Sequence, residues 1–406
     1  MRKLFISFFL FIFISSGIFC ESPLLQTYLQ RFVRADLLAK IELLYEVYSN
    51  SEAAHTGFSQ NFNSSYFYEY AVQFVLDNYA QIDDLRDMNT IINISLNGIL
   101  QEYNKGNIES KNINSIINVL WKLFLEYPDS HSRAEVIITL GLIGKEDQIL
   151  IDKINSYLME LNLLFRSGEN VDYSIISACI SALMELGNSS SYPVLFSIIC
   201  SDFPEVLASE SYGALELIPG NLQQFLLNII ENNPPDEKFA AFKAVINSNR
   251  LSIPERGLLA ELALAQSLLS SEDDVYLSAM RYTAVLLLTN LRWTRANALA
   301  IRHYYRVQAD YSQDIVPKER FLEAISCLGS VGNSDAALVL VLQLGLINLR
   351  TENTGNYDAE ITLSIVQSLG LIGDNAAFNH LTSVTKLPYN EDIIAAAKEA
   401  ITRLKW

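Results

Sequence analysis

The side chains able to do chemistry are few and scattered. The four histidines, His55, His131, His303 and His380, lie far apart, and none has a second histidine at metal-ligand spacing. The chain contains no His-Glu-x-x-His, no Cys-x-x-Cys and no Gly-x-x-x-x-Gly-Lys phosphate loop. Asp129-Ser130-His131-Ser132 does gather a carboxylate, hydroxyls and an imidazole. A nucleophilic triad, however, needs members converged by the fold, with the nucleophile on a strained turn. Consecutive residues in front of a helix instead suit helix capping by Asp129, Ser130 or Ser132. Glu272-Asp273-Asp274 offers oxygens to a hard cation but lacks the spaced ligands and glycine of a calcium loop. Ahead of a helix, those charges suit the positive N-terminal end. No catalytic residue, metal site or cofactor is expected.

The most informative surface candidate is residues 292–311. Arg295, Arg302 and Arg306 stand at i, i+7 and i+11. At ~100° per residue they share one face if the segment is a single helix. Arg292, Trp293, His303, Tyr304, Tyr305 and Tyr311 interleave with them. Arginine mixed with aromatics is the composition of interface hot spots. The binding candidates are therefore Arg292, Trp293, Arg295, Arg302, His303 and Arg306. The competing reading is structural: the arginines pair with acids on neighbouring helices, and the aromatics fill the space between them.

These residues must be positioned by a repeating framework. One phrase returns: Leu140-Gly141-Leu142-Ile143-Gly144, Leu183-Met184-Glu185-Leu186-Gly187, Leu328-Gly329-Ser330-Val331-Gly332 and Leu369-Gly370-Leu371-Ile372-Gly373. A degraded copy begins at Leu215, so the leading leucines stand at 140, 183, 215, 328 and 369, with steps of 43, 32, 113 and 41. The long step divides into three units averaging about 38, the period of two-helix repeats. Each phrase closes a stretch with helical apolar spacing, such as Phe321, Ala324, Ile325, Leu328 and Val331. The closing glycine supplies a left-handed stop, the inner glycine lets a neighbouring helix approach, and the Asn, Ser or Asp that follow cap the next helix. The Gly-x-x-Gly spacing follows helices rather than strands, which sets it apart from a nucleotide loop.

Residues 320–337, which read Arg320-Phe321-Leu322-Glu323-Ala324-Ile325-Ser326-Cys327-Leu328-Gly329-Ser330-Val331-Gly332-Asn333-Ser334-Asp335-Ala336-Ala337, resemble a HEAT repeat. The resemblance covers about residues 131–405, with irregular units between 205 and 310. It implies an all-α, right-handed superhelical solenoid of antiparallel helix pairs, and it says little about function. The domains expected are a signal peptide (1–20), a divergent helical N-terminal region or cap (21–130), and a HEAT-like solenoid with a C-terminal capping helix (131–406). First helices are predicted near 131–143, 172–186, 205–218, 236–248, 274–289, 317–331 and 357–371, with a last helix over 392–404. Further helices are predicted over 24–47, 66–79, 88–103 and 113–127, and loops over 50–65, 231–236 and 351–357.

Composition bounds the rest. Half of the 406 residues are apolar and only 18% are charged, which argues against disorder over most of the chain. The formal net charge is -17. Removing Arg2 and Lys3 with residues 1–20 leaves 27 basic against 46 acidic side chains, or -19. Such a surface repels nucleic acid and anionic lipid. Arg2 and Lys3, the apolar run 4–14 broken only by Ser7, and Ser15-Ser16-Gly17 form the three-part pattern of a secretory signal. Cys20 is a candidate lipidation site, but Phe19 before it departs from that pattern. Cys179, Cys200 and Cys327 read as free thiols in apolar surroundings. No second stretch approaches eighteen uncharged apolar residues, so no transmembrane segment is expected in the mature chain.

The function expected is an exported, non-enzymatic scaffold that binds a protein partner in the periplasm or cell envelope, with a lipid tether as an option. The alternative is a helical-toroid enzyme or ligand carrier acting on envelope polysaccharide or small molecules. The enzyme would need paired carboxylates across a cleft. A carrier would use the aromatics around Phe62, Tyr66, Phe67, Tyr68 and Tyr70.

Overall fold

The computed structural model describes residues 23–52, 64–82, 84–108, 110–145, 147–269 and 274–405. The signal pattern, Cys20, His55, Phe62, Glu272 and Asp273 lie outside the described residues. Among the described residues the chain is all-helical, with twenty α-helices, four short 3-10 turns and no strand. It divides into two compact units, Met1–Gly220 and Asn221–Trp406. The boundary expected at residue 130 falls inside the first unit.

The first unit holds α1 (Pro23–Arg34), α2 (Leu37–Glu52), α3 (Ser64–Asn78), α4 (Arg86–Asn104), α5 (Ser110–Glu126), α6 (Ser130–Ile143), α7 (Gln148–Arg166), α8 (Tyr173–Leu186), α9 (Tyr192–Ile199) and α10 (Glu205–Leu217). Here α2, α4, α6, α8 and α10 each pack on the next in that series, and α3 on α5 and α7 on α9 likewise. The second unit holds α11 (Leu222–Asn232), α12 (Pro235–Asn247), α13 (Ile253–Leu269), α14 (Val275–Leu291), α15 (Asn297–Ser312), α16 (Lys318–Val331), α17 (Ser334–Thr354), α18 (Ala359–Ile372), α19 (Phe378–Val384) and α20 (Glu391–Thr402). Its even-numbered helices pack in one row and its odd-numbered helices in another, and most helices also pack on their chain neighbours. A core of leucine, isoleucine and valine runs between the rows of each unit, built from residues such as Leu140, Leu183, Leu328 and Leu369, all 0% exposed.

The recurring phrase has a steric explanation. A methyl group on Gly141 would sit 2.6 Å from the Ala182 Cα, one on Gly329 would sit 2.8 Å from the Ser368 Cα, and one on Gly370 would sit 3.0 Å from the Ala400 Cα. Each inner glycine is thus where an even-numbered helix touches the next even-numbered helix. The closing glycines divide into two kinds. Gly187 and Gly373 stop their helices at φ 65° and 72°. Gly144 and Gly332 have negative φ, which corrects the expectation of a left-handed stop at every copy. Glycine is needed there for space, because a methyl on Gly332 would lie 2.2 Å from the Leu328 carbonyl oxygen.

The caps follow the expected chemistry. Asp129 accepts from the Ser132 N–H, Asp147 from the Ile149 and Leu150 N–H groups, Asn333 from Asp335 N–H, and Asp374 from Ala376 N–H. The segment 129–132 therefore caps α6. Two predicted loops are shorter than expected: α17 continues through Thr354, and only Asn233 and Pro234 separate α11 from α12. In the first unit Phe67 and Tyr68 are 0% exposed, with Phe67 edge-on to Phe32 at 5.4 Å, so these two N-terminal aromatics are core, whereas Tyr66 is exposed and Tyr70 half-buried. Cys179 and Cys327 are buried free thiols, and burial pushes them up to about 12 and about 11.

Candidate functional site

Two features of the second unit stand out: a cluster of cations and aromatics on α14–α16, and an apolar stripe on α17. Asp274 starts α14 by accepting from the Tyr276 and Leu277 N–H groups at 2.8 and 2.9 Å. The helix ends at Arg292, whose φ of 51° is left-handed. Arg292 stands where other units use glycine, and its side chain is exposed. Trp293 then lies over Gly257, where a methyl would be 2.5 Å from the indole ring, and its Nε1 donates to Glu261 at 3.0 Å. Arg295 pairs with the same Glu261 at 3.1 Å. One carboxylate on α13 thus pins both residues of the turn.

The three arginines expected to share one helix face, Arg295, Arg302 and Arg306, do not all lie on one helix. Arg295 belongs to the 3-10 turn Thr294–Ala296, ahead of α15, so the i, i+7, i+11 helix placement does not apply to it. Arg302 is exposed and Arg306 half-buried on α15. His303 is 0% exposed, edge-on to Tyr282 with ring centroids 5.7 Å apart. Burial pushes its imidazole down to about 3, helped by the positive charges of Arg281, Arg306 and Arg320. Tyr311 stacks on Phe321 at 5.2 Å, and Tyr304 packs on the same ring at 5.6 Å. The structural reading therefore accounts for Trp293, Arg295, Tyr304 and Tyr311.

Three residues that sequence reasoning missed complete the cluster. The Arg281 and Arg320 guanidinium carbons lie 5.0 and 4.2 Å from the Tyr282 ring centroid. Arg281 is 3% exposed. One signal was available: Arg281 is the single charged residue of α14, inside an otherwise apolar run. A buried arginine without an ion-pair partner is rare enough to mark a position.

The second feature is the outer face of α17, the longest helix among the described residues. Ala336, Ala337, Leu340, Val341 and Leu344 face the core. Leu338, Leu342, Leu346 and Leu349 are 51%, 68%, 65% and 57% exposed. Steps of four, four and three place these leucines within about 80° of one another on the helix. The sequence concealed the stripe because leucine also fills the inner face, so periodicity does not separate the two. By length and composition α17 is long and apolar enough to cross a membrane, which differs from the sequence expectation. Gln343 and Asn348 interrupt its run without adding charge.

Among the described residues no group of three or more His, Cys, Asp or Glu could hold a metal ion. Glu102 is the one buried carboxylate among them, so no pair of buried acids occurs there. No family model matches the chain, and no curated protein matches it either. The likeness to HEAT repeats therefore rests on the residues quoted above.

Proposed function

We propose that the chain is an exported helical-repeat scaffold that binds a protein partner in the cell envelope. In this reading each unit is a solenoid of HEAT-like antiparallel helix pairs, wound right-handed. The row-by-row packing within each unit supports it, as do the glycine contacts that join successive even-numbered helices. Helices that hide one face against their neighbours leave the other face for recognition. Export rests on the pattern of residues 1–20.

The observation that carries the binding reading is the stripe Leu338, Leu342, Leu346 and Leu349, each more than half exposed. Contiguous exposed apolar surface marks interaction sites. Arg302 and Tyr305, both exposed on the neighbouring α15, extend the same kind of surface with hot-spot residue types.

The test is crosslinking in intact cells, with the wild-type chain beside a variant carrying serine at all four leucines. The wild type is expected to recover a stoichiometric partner, and the folded variant to lose it. Equal recovery, or recovery of nothing, removes the reading. The mass of the purified chain tests export separately: loss of about twenty residues fits a signal peptide, and an intact N-terminus excludes cleavage.

A further inference from the structure

Of the two arginines over the Tyr282 ring, Arg320 has a carboxylate partner and Arg281 has none among the described residues. Arg281 is buried, its Nε has no hydrogen-bond partner, and it forms no ion pair among the described residues. Its Nη2 meets only the Tyr282 hydroxyl, at a long 3.4 Å. His303, 0% exposed, leaves both Nδ1 and Nε2 unbonded. Arg320 uses Nη1 on Glu323 at 2.8 Å, and its side chain is 37% exposed.

An unpaired buried cation is costly, and each unsatisfied polar atom adds about 1–3 kcal/mol. Among the described residues no carboxylate forms an ion pair with Arg281, and its Nε stays without a partner. Apolar residues of the same size would satisfy the packing at α14–α16 without that penalty. The arrangement instead has the parts of an anion receptor: guanidinium groups with free donors, a neutral imidazole, and a low-dielectric wall of aromatic rings. Charge-assisted hydrogen bonds to oxyanions are the strongest use of such donors.

We propose that Arg281, His303 and Arg320 form a site for a single oxyanion, a carboxylate or phosphate group of a ligand, entering from the exposed edge at Arg320. Its place in the protein's work rests on the binding reading above, where the oxyanion would belong to the bound partner. Arg281 supplies the buried charge. Arg320 supplies the reachable one. His303 supplies one N–H while remaining neutral.

The test uses the full chain and two probes, inorganic phosphate and succinate, each titrated against chloride at matched ionic strength. A saturable rise in Tm is expected with at least one probe, together with a shift of the His303 imidazole NMR signals. Phosphate alone acting points to a phosphate-bearing ligand. Succinate acting points to a carboxylate. Arg281→Met and Arg320→Met should each weaken the apparent affinity by roughly tenfold or more. In chloride alone Arg281→Met should raise Tm, which a purely structural arginine would not do. Arg320→Met keeps the test valid if Arg281→Met fails to fold. Absence of a saturable rise with either probe, or equal rises in wild type and Arg320→Met, overturns the proposal. The titration needs no partner, so its failure removes the site and leaves the crosslinking result to judge the scaffold.

Discussion

Helices α7 and α17 are built alike inside and differently outside. Each carries a buried asparagine at its fifteenth residue, Asn162 and Asn348. Asn162 donates to the Ser197 hydroxyl at 2.9 Å and accepts from Ser201 at 2.8 Å. Asn348 donates to the His380 carbonyl at 3.1 Å and accepts from the Tyr389 hydroxyl at 2.8 Å. In both units a polar side chain inside the core ties one odd-numbered helix to the next. The outer faces diverge. On α7 the exposed positions include Gln148, Ile149, Asp152, Ser156, Glu160 and Leu163, two apolar among four polar, whereas α17 exposes four leucines in one stripe. Packing dictates the inner face and leaves the outer face unconstrained, so the two helices share an interior pattern and differ on the side that packing does not fix.

The sharpest way to break this comparison is to truncate each face in turn. Leu344→Ala, on the inner face of α17, should cost about 2–5 kcal/mol in urea unfolding, whereas Leu342→Ala should stay within about 0.5 kcal/mol. Similar losses at the two positions would mean that the outer leucines are core. His303 should give the next largest effect, through pH. Its folded value of about 3 lies below the ordinary histidine value of 6.5. The unfolded chain therefore binds a proton that the folded chain refuses between those limits. Stability present above pH 6.5 should fall by ~1.4 kcal/mol per unit as pH drops through that window, and His303→Phe should remove this slope. Chemical denaturation at a series of pH values measures it.

Asn348→Ala should cost about 1–3 kcal/mol, because the Tyr389 hydroxyl and the His380 carbonyl lose their partner. Asn162→Ala should behave alike, and unequal losses would show that the two interiors are not equivalent. The smallest effect is a gain. Arg292→Gly relieves a left-handed backbone at the end of α14 and should raise stability by about 1 kcal/mol, read as an increase in Tm.

Much of the framework was legible in the sequence. The helices over 130–143, 173–186 and 318–331 fall within a residue or two of expectation, because their apolar spacing is regular and Asp or Pro marks their starts. The inner glycines disclose close helix contacts in the sequence itself, since few other reasons place glycine inside a helix. The end of α17 was less legible. Thr351 and Thr354 look like turn residues, but their hydroxyls bond back to the Ile347 and Arg350 carbonyls and stay helical. The site was the hardest part. Arg295, Arg302 and Arg306 fit one helical face on paper, but the helix begins only at Asn297. The Arg281–Tyr282–His303–Arg320 cluster joins three helices, and no local pattern encodes such a meeting.

The silent thiols give the molecule a built-in gauge. Burial raises both thiols and shields them, so Cys179 and Cys327 stay protonated and out of reach of alkylating reagents in the folded chain. One lies in Met1–Gly220 and the other in Asn221–Trp406. Each becomes reactive only when its own half breathes open. The labelling rates of the two cysteines, separated by peptide mass, therefore clock the openings of the two halves independently in the unmodified protein.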